Sequence, residues 1–132
     1  MVVERADFGA DSAGAGRYRG GAGVDLVVSA LMDMDLTVVN ERSQVPPFPL
    51  AGGQCGLPNR AVVRAPDGSV EEYAKVTGVH VPQGASVEVR TSGGAGWGPP
   101  EERPVDEVLA DVAAGYLTDE GARSQYPHAF RA

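Results

Sequence analysis

Apolar and polar residues alternate with a period of two along much of the chain, and the period lengthens to that of a helix only near the C-terminal end. Val24, Leu26, Val28 and Ala30 alternate with Asp25, Val27, Ser29 and Leu31, which predicts a strand buried mainly on one face. Met34, Leu36 and Val38 repeat the pattern, with the chain turning at Met32-Asp33. Ala61-Val62-Val63-Arg64 leads into Pro66-Asp67-Gly68 and then Val70, Glu72 and Ala74. Proline presets φ there and glycine takes the left-handed position, so this segment reads as a hairpin. Val76–Val79 continues the pairing, Val81-Pro82-Gln83-Gly84 turns, and Ser86–Arg90 alternates as a last strand. The expected fold class is mainly β, a small sandwich or open barrel of roughly four to six strands.

After TSGGAGWGPP the spacing changes. Val105, Val108, Leu109, Val112 and Ala113 follow the helical pattern, Pro104 fits the first turn and Gly115 closes it. Thr118 is placed to cap a second helix over Asp119–Gln125, and Pro127 ends it. The chain is therefore expected to close with a helical hairpin. Its 132 residues suit one domain, with a β-rich core over 1–98 and a helical tail over 99–132.

Residues 44–60 carry four of the ten prolines. Pro46, Pro47 and Pro49 lack the N–H of a sheet ladder, so this stretch is an ordered loop, long enough to suggest a presented surface. Glycines crowd between Gly9 and Gly23 and again around Trp97, which implies tight backbone packing. Trp97, the single tryptophan, is expected to be a buried structural anchor whose replacement by alanine costs about 3–5 kcal/mol.

Charge and composition exclude several classes. A net charge of −7 speaks against nucleic acid or an anionic membrane as partner. No apolar stretch is long enough to cross a bilayer, and the first residues lack the pattern of a secretory signal. A single cysteine, Cys55, favours a reducing, cytoplasmic setting.

Candidate chemistry is sparse. Gly14–Gly20 misses the dinucleotide fingerprint and precedes a strand, and Gly93–Gly98 lacks the lysine of a phosphate loop. His80, His128 and Cys55 stand apart, without metal-ligand spacing. Arg17 and Arg19 flank Tyr18 and form the one local concentration of positive charge. They either clamp an anion or form ion pairs with carboxylates, and in so acidic a chain the second reading is favoured. No catalytic, cofactor or metal residue stands out. Possible interface or anion contacts are Arg17, Tyr18, Arg19, Pro46, Pro47 and Phe48.

Three motifs in register then carry a resemblance. They are DSAGAGRYRGGAGV (11–24), Val45-Pro46-Pro47 with Gly52-Gly53-x-x-Gly56-x-Pro58-Asn59, and GGAGWGPPEER with VLADVAAGYLTDEGARSQY (93–103, 108–126). Together they resemble the C-terminal region of the hydantoinase B/oxoprolinase family, which includes subunits of acetone and acetophenone carboxylases. Ala13 and Ala95 stand where the family has glycine, and Pro99 where it tends to have aspartate.

The resemblance implies ATP-dependent chemistry, either carboxylation of a ketone or opening of a cyclic amide such as hydantoin or oxoproline. It assigns ATP and a divalent metal to larger hydantoinase A-like and B-like partner subunits, and no cofactor to this chain. Opening at Met1 just before the first glycine motif, the chain is expected to be a non-catalytic small structural subunit of a multi-subunit ATP-dependent ketone carboxylase. The split resembles that of acetophenone carboxylase, where a small β-type subunit accompanies larger ones. The alternatives are a small subunit of a hydantoinase/oxoprolinase-type amidohydrolase and, from another class, a free-standing anion-binding module.

Overall fold

The computed structural model describes residues 1–131. Seven strands form two antiparallel sheets: β1 (Val2–Gly9), β2 (Gly23–Ser29), β3 (Met34–Val39), β4 (Arg60–Arg64), β5 (Val70–Tyr73), β6 (Lys75–Val81) and β7 (Ser86–Arg90). The larger sheet runs β1-β2-β7-β4-β5 and the smaller pairs β3 with β6. Helices α1 (Val105–Ala113) and α2 (Asp119–Gln125) follow, as the sequence predicts, with short 3-10 turns at Pro100–Glu102 and Pro127–Phe130.

The alternation decides how the sheets pack. Val63, Val87, Val28, Val89 and Tyr73 line one face of the larger sheet and meet Val81, Met34 and Leu36 of the smaller one, with Ala30 and Ala85 between them. Ion pairs occupy the opposite face: Arg90 with Asp25 at 2.5 Å, Arg64 with Glu88 at 2.8 Å and Arg60 with Glu72 at 3.2 Å. The hydrogen bond from Arg90 holds the Asp25 carboxyl below the usual carboxylate range.

One strand was not expected. β1 is exposed along its length from Val2 to Phe8, so burial leaves no alternating signature in its sequence. The stripe expected on α1 is also only half used. Val108 and Val112 pack inward with Ala15, Leu117, Ala122 and Tyr126, whereas Val105 and Leu109 face outward. The inward face of α1 meets α2 and the turn at Pro127–Phe130.

Between the sheets and the helices lies an interlock of three extended segments, 12–23, 50–57 and 91–98. Each bonds to both others: Gln54 N–H donates to the Ala15 carbonyl at 2.7 Å, Gly96 N–H to the Gln54 carbonyl at 2.9 Å, and Gly14 N–H to the Gly94 carbonyl at 2.8 Å. The segments approach so closely that a β-carbon on Gly14, Gly53, Gly93 or Gly96 would collide with backbone atoms of a neighbouring segment. Backbone cannot yield as a flexible side chain can.

Gly53→Ala and Gly96→Ala are therefore each expected to lower stability by about 3 kcal/mol or more in urea denaturation. Gly21→Ala, where open space surrounds the new methyl, is expected to stay within about 0.5 kcal/mol of the parent.

Candidate functional site

The first glycine segment and α1 share a buried charge cluster. Arg19 grips Asp111 with two bonds, Nε to Oδ2 at 3.0 Å and Nη2 to Oδ1 at 3.1 Å, and its Nη1 donates to the Gly20 carbonyl at 2.7 Å. The same guanidinium stacks over the Tyr116 ring. Arg103 donates to Asp111 Oδ2 at 2.9 Å and reaches Glu107 at 3.2 Å. Asp111 is buried, so its charge is tolerable only because two guanidinium groups surround it.

Two further ties fasten the helices to the glycine interlock. Tyr126 is fully buried, and its hydroxyl accepts from Gly16 N–H at 3.2 Å. Burial raises its pKa above the ordinary value of 10.0. Asp11, held at a left-handed φ of 59°, accepts from both the N–H and the hydroxyl of Thr118, at 2.9 and 2.7 Å. Thr118 in turn caps α2 by accepting from Gly121 N–H.

The outer surface beside this cluster is apolar. Backbone bridges set Trp97 between Tyr18 and Leu50. The Tyr18 and Trp97 rings lie 5.7 Å apart at 47°, and the three side chains are 58%, 51% and 59% exposed for Tyr18, Trp97 and Leu50. Arg17 lies over the Tyr18 ring. Phe48 is 65% exposed under Arg42, and Pro46 and Pro47 are half-buried beside it.

The sequence candidates thus divide. Arg19 is an internal ion pair and not an anion clamp. Arg17 is partly exposed and lies 3.8 Å from Glu107. Tyr18 and Phe48 face outward. Trp97 corrects the expectation of a buried anchor: the backbone on either side of it is locked, with its N–H donating to Tyr18 and its carbonyl accepting from Tyr18, while the ring is left half in water. Flanking glycines mark a buried backbone, which says nothing of the ring between them. Leu50 carries no sequence signal. Asp11, Asp111 and Tyr126 are marked only by their place in the family motifs, because their partners are 107, 92 and 110 residues distant.

No group of three or more His, Cys, Asp or Glu residues suited to a metal occurs among the described residues. Glycine-loop amides that could cradle a phosphate are spent internally, Gly93 N–H on Leu57, Gly94 N–H on Gly21 and Gly98 N–H on Leu50. No described helix is long and apolar enough to cross a membrane.

Asp111→Asn strands two buried guanidinium groups and is expected to cost about 3–5 kcal/mol in chemical denaturation. The Tyr126 shift gives a pH test. Because the folded pKa is raised, stability is full below pH 10 and falls as pH climbs past it, since the unfolded chain ionises first. Tyr126→Phe is expected to flatten this alkaline decline and to cost about 1 kcal/mol at neutral pH.

Comparison with known proteins follows the same lines. The model of the family described as hydantoinase B/oxoprolinase matches residues 1–100. The caprolactamase subunit beta of Pseudomonas jessenii is 35% identical over 132 residues, covering 96% of this chain and 22% of that subunit. The crystal structure of the ATP-dependent caprolactamase from Pseudomonas jessenii superimposes with a TM-score of 0.84 at 31% identity, over 95% of this chain and 22% of that one. A nucleotide-free acetone carboxylase shares the fold, with a TM-score of 0.75 at 20% identity over 95% of this chain and 21% of its own. The chain spans about a fifth of the length of the curated relatives it matches. With its motifs, fold and family match in agreement over most of its length, the chain belongs to the hydantoinase B/oxoprolinase family.

Proposed function

We propose that this chain is a non-catalytic structural element of the B-type component in an ATP-dependent complex that opens a cyclic amide. The observation that carries the reading is the exposed row of Tyr18, Trp97 and Leu50 on a fold whose polar loop groups are consumed internally. Such a surface offers a partner aromatic anchors and an arginine rim, the composition enriched at protein interfaces. ATP and a divalent metal would be held by larger hydantoinase A-like and B-like companions. The lactam direction rests on the 35% identity to a caprolactamase subunit. A second reading, ketone carboxylation of the acetophenone carboxylase type, draws on the fold shared with acetone carboxylase.

Co-expression with its A-type and B-type companions tests the proposal. The chain is expected to co-purify with them, and Tyr18→Asp and Trp97→Asp to reduce recovery at least tenfold with melting temperatures unchanged. The assembled complex should couple ATP hydrolysis to lactam or hydantoin opening. Ketone-dependent bicarbonate fixation would select the second reading, and an isolated chain active on its own would overturn both.

A further inference from the structure

The outer edge of β1 is a second surface, independent of the aromatic row. β1 closes one side of the larger sheet and pairs with β2 alone among the described residues. The direction of its free backbone groups follows from β2. Val24 N–H donates to the Thr91 hydroxyl at 2.8 Å, and the Val24 carbonyl accepts from Thr91 N–H at 2.9 Å, so Val24 faces the β7 side. Backbone groups alternate along a strand, so Asp25 and Val27 face β1, where they stand opposite Asp7 and Arg5. Ala6 and Phe8 must then aim their N–H and C=O away from β2, at the open edge. The Phe8 N–H is satisfied there by the neighbouring Asp7 carboxylate at 2.7 Å, a local substitute for a strand.

We propose that this edge pairs with β1 of a second copy, antiparallel, about a two-fold axis at Ala6. Only a register that sets outward-facing residues against one another can form ladder bonds. Centred on Ala6, that register places each Arg5 opposite the Asp7 of the other copy, twice by symmetry. These two pairs fall at the non-hydrogen-bonded positions, where side chains approach most closely. Centring on Phe8 would set Asp7 against Gly9 and lose both charge pairs.

Neither charge has a direct ion pair of its own. Arg5 makes none among the described residues, although its charge acts on Asp25 and Glu88 across the same sheet face, and Asp7 lies directly across from Asp25, a like charge whose own counterion is Arg90. The bulge between Val3 and Arg5 confines the regular stretch to Arg5–Gly9, within which the Ala6 register pairs Arg5–Asp7 of each copy. Alanine at the axis lets the strands meet without a side-chain clash.

Sedimentation equilibrium of the full chain over a range of concentrations tests this. The parent is expected at twice its 13.7 kDa mass, dissociating on dilution. Ala6→Pro deletes only an outward N–H, keeps the β1–β2 ladder, and should give monomer. Arg5→Asp and Asp7→Arg should each weaken the dimer on the order of tenfold or more, and the double variant should recover it. Circular dichroism confirms folding, and if Ala6→Pro fails to fold, the charge exchange decides alone. A parent monomeric throughout, a dimer that survives Ala6→Pro or both single charge reversals, or a double variant without recovery would overturn the proposal. So would a monomeric parent in which Ala6→Pro abolishes binding to the B-type companion, since the edge would then take a strand of that protein. Co-purification through Tyr18 and Trp97 is read separately and stands or falls by itself.

Discussion

Where segments 12–23, 50–57 and 91–98 meet, main chain rests on main chain, and the rest of the molecule is arranged around that contact. A β-carbon at Gly53 would run into the Gly96 carbonyl, and one at Gly96 into that of Ala15. Ordinary cores tolerate exchange among apolar side chains because side chains can repack. Here there is nothing to repack, so shape is enforced by the absence of atoms. The reward is a dense set of backbone hydrogen bonds between the segments, which leaves the strands on one side and the helices on the other with fixed attachment points.

The helices attach by charge and hydroxyl more than by apolar area. Arg19 and Arg103 hold Asp111, Tyr126 reaches Gly16, and Asp11 secures the start of α2. Ion pairs of this sort contribute little net stability against an apolar alternative, yet they define one geometry sharply, because no other docking satisfies both arginines. The molecule thus buries the Asp111 carboxylate and leaves several large apolar side chains outside. Tyr18, Trp97, Leu50 and Phe48 are in water while a carboxylate is buried. That inversion suits the proposed role, in which companion subunits would complete the surface.

Much of the fold was legible because its signals are local. Pro66-Asp67-Gly68, Gly84, Gly115 and Thr118 each specify a turn or cap through their own backbone preferences, and the structure uses every one of them so. Most strands show a half-buried alternation, whereas β5, exposed from Val70 to Glu72, is marked by the Pro66-Asp67-Gly68 turn before it. β1 buries neither face, and so gave no periodic signal. Long-range chemistry was harder to read. Nothing in the neighbourhood of Arg19 names Asp111 as its partner, and the glycines around Trp97 describe the confinement of its peptide groups while its ring points away. What did reach across the chain was motif order, which placed Asp111 and Tyr126 in a shared pattern without revealing what they touch.

The three-way interlock also sets the order in which the molecule can be completed. Its strands come from the early, middle and late parts of the chain, and closing such distant loops delays folding until each part is available. During synthesis the first two segments would emerge with their backbone groups bonded only to water. They would wait for the region around Trp97 to leave the ribosome before any of the three could settle. Completion of this module is thereby tied to the last third of its own translation.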